Sequence, residues 1–270
     1  MWRTAKQGIS ALSYVGYRAA ESESLRRMAF NAIRLRRTEA QRFMEMEEGR
    51  FLAYCFLNRD NSKSQILQDL WVSYELGERR DGFFVEFGAT NGVTNSNSWL
   101  LENKYNWKGI LAEPNPVWHS DLANGRNVSI DHRCVSSNSG NVVSFLTTDG
   151  SDPELSSIAA FSDGDHFAEV RAHGAEIKVE TVSLDQLLDD HHAPERIDYL
   201  SIDTEGNEYD ILSHFDFSRH TIDLISVEQN KKTEPQIEEL LTGRGYKRVF
   251  KEFSQWDGWY VRPTVAPKSP

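Results

Sequence analysis

The sequence predicts an α/β protein built on a doubly wound, mostly parallel sheet, with a C-terminal antiparallel hairpin and a helical N-terminal extension. Apolar runs of strand length (residues 83–87, 110–112, 128–130, 197–202 and 222–227) alternate with amphipathic stretches of helical period. The first run ends in a turn holding Gly88 and Gly92, as in a mononucleotide-binding βαβ unit. The chain closes on two extended runs, residues 246–253 and 259–261, about the turn Trp256-Asp257-Gly258.

Taken in order, residues 1–50 place apolar side chains at helical spacing (Ile9 and Leu12; Leu25 and Met28; Ile33) among Arg and Glu. They predict helices outside the core, and residues 1–61 are read as one extension. Residues 51–61, with Phe51, Tyr54 and Phe56, read as an aromatic-rich linker into a catalytic domain over 62–262. Residues 64–76 predict a helix with Ile66, Leu67, Leu70 and Trp71 on its apolar face. Its Gln65, Gln68 and Asp69 lie near the expected ligand edge, and their pattern alone favours a solvated face. The segment 83–113 then reads strand, glycine turn, helix, strand, carboxylate.

Beyond Glu113, a helix over 117–122 leads to a short strand at 128–130. Cys134-Val135-Ser136 and residues 142–146 are extended segments divided by the turn Asn138-Ser139-Gly140. Residues 147–176 are rich in Asp, Ser and Gly and too long for an ordinary connection; they read as a surface insertion or, the favoured reading, a lid over the site. A strand at 177–182 precedes a helix capped by Ser183. The strand 197–202 ends at Asp203. A helix from Thr204 to Leu212 would carry Glu205 and Glu208 in its first turn, where the helix dipole favours anions. The strand 222–227 ends at Glu228, and a helix over 234–244 ends at Gly245. Residues 263–270 read as a disordered tail.

Composition bounds the function. The chain has 270 residues, 39% hydrophobic and 26% charged, with no apolar run long enough to span a bilayer. Residues 1–20 lack the continuous apolar core of a secretory signal, and Cys55 and Cys134 match no metal or redox spacing. A cytoplasmic protein is the expectation. The net charge of −11 argues against nucleic-acid binding. Residues 1–50 run against that trend, with more Lys and Arg than Asp and Glu. They suit a basic helix that meets a membrane surface or acidic partner, or, the favoured reading, a packing helix or one that mediates homo-oligomers.

The chemistry lies at the strand ends. The first turn reads Glu-x-Gly-x-x-x-Gly from Glu86, with Ala89, Thr90 and Asn91 between the glycines, rather than the GxGxxG of dinucleotide folds. That makes it a poor pyrophosphate cradle. The acid at its start suits a ligand with a positive end, such as S-adenosylmethionine (SAM). Glu113 can accept both hydroxyls of a ribose. Asp203 and Glu228 follow later strands, and ligands in open α/β sheets sit at those ends. Converging acids repel and raise one another's pKa, so a cation must offset them. The sulfonium of SAM is one candidate and a divalent metal such as Mg²⁺, held by Asp203 and Glu228, is another. For methyl transfer to a hydroxyl, Asp203 is the first choice of base or metal ligand, with Glu205 and Glu228 behind it. Glu208 reads as helix-terminal charge complementarity. His191-His192 read as solvent-exposed, and His166 and His173 as residues of the lid. No nucleophile elbow, Walker loop or CxxC pair offers a competing chemistry.

Over about residues 62–262 the chain resembles the FkbM family of SAM-dependent methyltransferases. The matching stretches are SQILQD (64–69), FFVEFGATNG (83–92), SNSWLLE (96–102), GILAEPNP (109–116), ETVSLDQLL (180–188), IDYLSIDTEGNEYDIL (197–212) and ISVEQN (225–230). The glycine turn is generic to Rossmann-like class I methyltransferases; EPNP together with the IDxEGxE-type run is far more specific. The resemblance implies that fold and SAM binding by Glu86, Gly88, Gly92 and Glu113, with Ala89, Asn91, Pro114 and Asp203 completing the cofactor set. It implies a functional edge at Asp203, Glu205 and Glu228, and O-methylation of a small-molecule or carbohydrate acceptor. Many members carry Lys where this chain has Ser201, so any role of that Lys is absent here. The loop also reads Ala89-Thr90-Asn91 where Ala-Asn is commoner after the first glycine.

The leading expectation is therefore an O-methyltransferase acting on a sugar, a glycan or a glycosylated natural product. The alternative is a non-catalytic module of the same fold that binds a partner through its basic N-terminal helices. A nucleotide-dependent oxidoreductase is disfavoured by the missing third glycine.

Overall fold

The computed structural model describes Arg27, Asn31, Arg34 and residues 37–147, 157–158, 175–263 and 265. The chain divides into two compact units between Ala53 and Tyr54. Most of the expected lid, including Phe161, His166, Phe167 and His173, lies outside the described residues, as do the segment 1–26 and most of the expected tail.

Helix α1 (Arg37–Glu45), in the first unit, gives way at Met46 to helix α2 (Glu47–Asn58), within which the division falls. A Cβ on Gly49 would sit 2.0 Å from the carbonyl oxygen of Phe43, so the junction admits only glycine. Helix α2 corrects the linker read over 51–61. No Gly or Pro interrupts that stretch, and Phe51 and Cys55, one helical turn apart, are both buried. Only Arg59–Asn61 departs from the α-helix, as a single 3₁₀ turn.

The second unit holds strands β1 (Phe83–Phe87), β2 (Lys108–Ala112), β3 (Ser129–Asp131), β8 (Arg196–Ile202), β9 (Thr221–Glu228), β10 (Lys247–Val249) and β11 (Asp257–Val261). They form one sheet in the order β10-β11-β9-β8-β1-β2-β3. All neighbouring pairs are parallel except those of β11, which runs antiparallel between β9 and β10. This is the mostly parallel, doubly wound sheet with a terminal hairpin that the sequence predicts. Between β1 and β9 lie helices α4 (Trp99–Tyr105), α5 (Pro116–Gly125), α6 (Leu184–Asp190) and α7 (Glu208–His214); α8 (Thr233–Gly243) follows β9.

Alternate strand residues divide between the two faces of the sheet. On one, Val85, Leu200, Ile202, Ile225 and Val227 join Leu187, Ile211, Leu212, Ile237 and Leu241 from the helices in a single core. On the other, Phe84 and Tyr199 are paired in register. There Trp71 stacks on Trp259 at 5.0 Å and meets Tyr199 edge-on at 6.3 Å. Trp71 belongs to helix α3 (Gln68–Glu75), which begins later than the pattern implies because Leu67 takes a left-handed φ of 67°. Gln68 and Asp69 are buried, not solvated. Asp69 accepts bonds from Ser62 Oγ at 2.6 Å and Lys63 N at 2.9 Å, tying the entry loop to the helix.

A second, smaller sheet, in the order β4-β7-β5-β6, comprises β4 (Cys134–Ser136), β5 (Val142–Thr147), β6 (Ser157–Ile158) and β7 (Ala175–Ser183). Ser183 caps α6, its Oγ accepting from Gln186 N at 3.2 Å.

Two boundaries differ from the sequence reading. Residues 246–253 do not form one long strand: β10 stops at Val249, and Phe250 and Gln255 turn the chain with φ values of 47° and 50°. Asp257 and Gly258 consequently lie inside β11. Helix α7 starts at Glu208 because Glu205 (φ 60°) and Gly206 (φ 126°) hold residues 203–207 in a tight turn. Among the described residues no helix is long and apolar enough to cross a membrane.

Candidate cofactor site and acidic strand edge

The glycine turn leaves β1 at Gly88, whose φ of 68° needs no Cβ; one added there would lie 1.9 Å from the carbonyl oxygen of Asp203. The ends of β1 and β8 therefore meet backbone to backbone. The turn is pinned to β2 by Gly88 N donating to Ala112 O at 3.1 Å. Thr90, with φ 46°, aims its N–H at Glu113 Oε2, 2.9 Å away. Glu113 Oε1 accepts from Asn115 N at 2.8 Å, so each oxygen of this buried carboxylate holds one amide and keeps lone-pair capacity for another donor. Burial pushes the Glu113 carboxyl up to about 7, aided by the nearby charge of Asp203 and opposed by the two amides.

The other residues predicted around the turn divide by what their polar atoms already hold. Ala89 is buried, and Pro114 is half-buried, just before the Asn115 cap of α5. Asn91 Oδ1 accepts from Val93 N at 2.9 Å and Thr94 N at 2.8 Å, stapling the turn. Glu86 lies beneath the loop: Oε1 accepts from Asn97 N at 2.7 Å, and Oε2 from the hydroxyls of Ser96 and Ser98. Asn97 Nδ2 in turn donates to Ser201 Oγ at 3.0 Å.

At the ends of β8 and β9 the structure brings together Asp203, Glu205 and Glu228, with carboxylate oxygens within 4.8 Å of one another. Burial and the charge of Glu208 raise the Asp203 carboxyl to about 6. Glu228 is held well above the usual carboxylate range by burial, then by Asp203 and Glu205. The left-handed turn at Glu205 folds its side chain back to this group instead of leaving it in a helix. Glu208 does more than complement a helix terminus. Its Oε1 accepts from Thr204 N, Thr204 Oγ1 and Gly206 N at 3.2, 3.1 and 2.8 Å, which holds that turn closed.

Sequence reasoning misses Asp257 and Arg126 here, and for Gln68 it finds the edge but favours a solvated face. Asp257, opposite Glu228 in the β9–β11 register, is pushed to about 7 by burial and by Asp203. Gln68 Nε2 donates to Asp257 Oδ2 at 3.0 Å. Arg126, whose side chain is fully buried, donates to Gly92 O at 2.8 Å and pairs with Glu102. Of the histidines, His191 is not simply exposed, because its Nε2 lies 2.9 Å from Asp131 Oδ2. His119 Nε2 lies 3.0 Å from the Glu113 carbonyl oxygen, and its ring packs on His132 at 3.7 Å.

The arrangement can place a ligand along the carboxyl edge of β2, β1, β8 and β9. One end faces a hydrogen-bonding carboxylate and the other a group of acids. The charges acting most strongly on Asp203, Glu228 and Asp257 are all negative. Such a group favours a positively charged ligand and can hold or accept a proton near neutral pH.

This chain is similar to two solved structures. One is a precorrin-6y C5,15-methyltransferase from Geobacter metallireducens GS-15, 16% identical over 70% of this chain and 76% of that one, with a TM-score of 0.39. The other is methyltransferase FkbM from Methylobacillus flagellatus KT, 13% identical over 77% of this chain, with a TM-score of 0.41. This chain spans 60% of its length. No curated protein sequence matches. The methyltransferase FkbM domain model matches residues 86–248, more than half of the chain and both sides of the site, from Glu86 to β10. The chain belongs to the FkbM methyltransferase family.

Proposed function

We propose that this protein is a SAM-dependent O-methyltransferase acting on a hydroxyl of a sugar, a glycan or a glycosylated natural product. The observation that carries the reading is the pairing, along one sheet edge, of Glu113 beside a Cβ-free turn with the acids at Asp203, Glu205 and Glu228. The residues fit the cofactor: Gly88 and Gly92 let the turn pack closely on Asp203 and Arg126 beside the Glu113 carboxylate, which keeps an acceptor site on each oxygen for the ribose hydroxyls. Bound SAM supplies an activated methyl group on a sulfonium. Asp203, at the end of β8, would face that positive centre. Glu86 and Asn91 serve the cofactor indirectly, by holding the loop that carries Gly92.

The chain's own work is alignment and proton removal. A sugar hydroxyl is barely acidic, so a carboxylate would take its proton as the methyl carbon's bond to sulfur breaks and its bond to the acceptor oxygen forms. Asp203 is the acceptor of choice, since its carboxyl near 6 is mostly ionised at neutral pH yet basic for an acid. Burial and the charges of Glu208 and Glu86 maintain that basicity, against a hydrogen bond with Glu228 that lowers it. A second reading adds Mg²⁺ to the same place. The 4.8 Å grouping of three carboxylates supports it, with Asp203 and Glu228 as ligands and Glu205 as a third. In that case the metal lowers the acceptor's pKa and less falls to a base.

The test is SAH release from SAM across a panel of free sugars, glycosides and amines, with and without EDTA. Turnover on hydroxyl acceptors, with methylated oxygen in the product, is expected. Turnover confined to amines would contradict O-methylation, and a rate indifferent to EDTA would remove the metal.

A further inference from the structure

We propose that Arg126 is a positioning residue for the cofactor: its buried guanidinium sets cofactor affinity by fixing the turn and loop over residues 88–98. This inference rests on the SAM reading above. Those residues form no helix and only an isolated bridge, between Asn95 and Ser64, so side chains must hold them. Two buried charges do so. Glu86 takes the loop's hydrogen-bond donors, and Arg126 takes its acceptors.

Arg126 Nη1 donates to Gly92 O at 2.8 Å and to Ser96 Oγ at 3.2 Å, while Nη2 donates to Ser98 Oγ at 2.9 Å. Nε reaches Glu102 Oε2 of α4 at 2.5 Å, and Nη1 lies 4.0 Å from Glu86. A Cβ on Gly92 would lie 2.8 Å from Arg126 Cγ, so the turn also packs on the stem of the side chain. Only a planar fork of donors can serve a carbonyl, two hydroxyls and a carboxylate at once; an ammonium cannot.

The placement of Arg126 gives this clamp its consequence. Helix α5 starts just after the Glu113 corner and ends at Arg126, its C-cap. One helix thus fixes both halves of the pocket, the ribose acid at its start and the glycine turn at its end. Glu113 is held besides by the amides of Thr90 and Asn115, whereas Gly92 O takes its bond from Arg126. Loosening Arg126 therefore frees the turn from Gly92 onward, while Gly88, Thr90 and Asn115 stay bonded to Ala112 and Glu113 and keep the ribose end in place.

The test is calorimetric titration of Arg126→Lys, well below its melting temperature, with S-adenosylhomocysteine (SAH) and with 5′-methylthioadenosine, which keeps the adenosine half and lacks the amino-acid end. SAH binding is expected to weaken about tenfold or more while methylthioadenosine stays within about twofold. Glu102→Gln, which keeps an acceptor for Nε but removes the charge, is expected to weaken SAH about threefold by the same route, and it carries the test if Arg126→Lys does not fold. If the wild type binds SAH and the folded variants do too with unchanged affinity, or lose both ligands equally, Arg126 is structural and the inference falls. If the wild type does not bind SAH, the cofactor reading fails instead.

Discussion

Two sets of acids occupy the same face of the same sheet, and they differ in what surrounds them. Glu86 and Ser201 are register partners on β1 and β8, one strand step below the edge. There Glu86 accepts bonds from Ser96, Asn97 and Ser98 and lies 4.0 Å from Arg126. Two residues further along those strands are Gly88 and Asp203, and Asp203 has Glu205 and Glu228 for company. Glu86 is a finished structural contact. The upper acids repel one another, and a ligand can relieve that repulsion. Residue type and sheet face are shared, so the difference comes from what the loops deliver: an arginine at one level and further carboxylates at the next.

The largest effect expected from this contrast is on stability. Glu86→Ala strips the acceptor from two hydroxyls and an amide and removes a charge beside a buried guanidinium, at a cost of about 3 kcal/mol. Asp203→Asn should leave the ligand-free fold unchanged or slightly firmer, yet reduce turnover about a hundredfold or more as a lost base. Urea unfolding of both variants checks the pair. Equal destabilisation by the two would dissolve the distinction.

A smaller effect should appear in the pH dependence. Folded-state values near 6 for Asp203 and near 7 for Glu113 and Asp257 are raised above those of the unfolded chain. Each such group favours folding when protonated, so its contribution is full below about pH 4 and is lost as pH rises through 7. Asp131, lowered to about 2 by Arg133 and His191 despite burial, works in the opposite sense, but its stability is lost only in strong acid. The melting temperature of the ligand-free protein should therefore fall between pH 5 and pH 8. Asp257→Asn should flatten that slope.

The smallest effect separates two ligands. SAM carries a sulfonium that SAH lacks, and a cation binds better once the acids around it are ionised. Between pH 6 and pH 8 the preference for SAM over SAH should grow about threefold, in keeping with an ion pair at a partly exposed edge. A constant ratio in parallel titrations would place the sulfonium away from Asp203.

Much of this was legible in the sequence because it is local. The run from Phe83 to Gly92 states a strand and a turn, and each carboxylate just after a β-strand is delivered to the edge by topology. What depends on long-range pairing was not legible. Asp257 reaches the edge only because β11 inserts beside β9, and its partner Gln68 is 189 residues away. Arg126 has no periodic signal, since its partners lie 24 to 34 residues earlier in loops and in α4. The helical spacing of Thr204–Leu212 places Glu205 in a helix. Gly206 was the local sign of the turn that instead brings it to Glu228.

Glu113 and the glycine turn together form the proposed SAM site. It is tested most directly by calorimetric titration of the wild type and of Glu113→Ala with SAH. Micromolar binding by the wild type, weakened about tenfold or more in the variant through loss of a charged hydrogen-bond acceptor, is the predicted result. Undiminished binding by the variant would contradict the placement of the ribose, and no binding by either protein would contradict the cofactor itself.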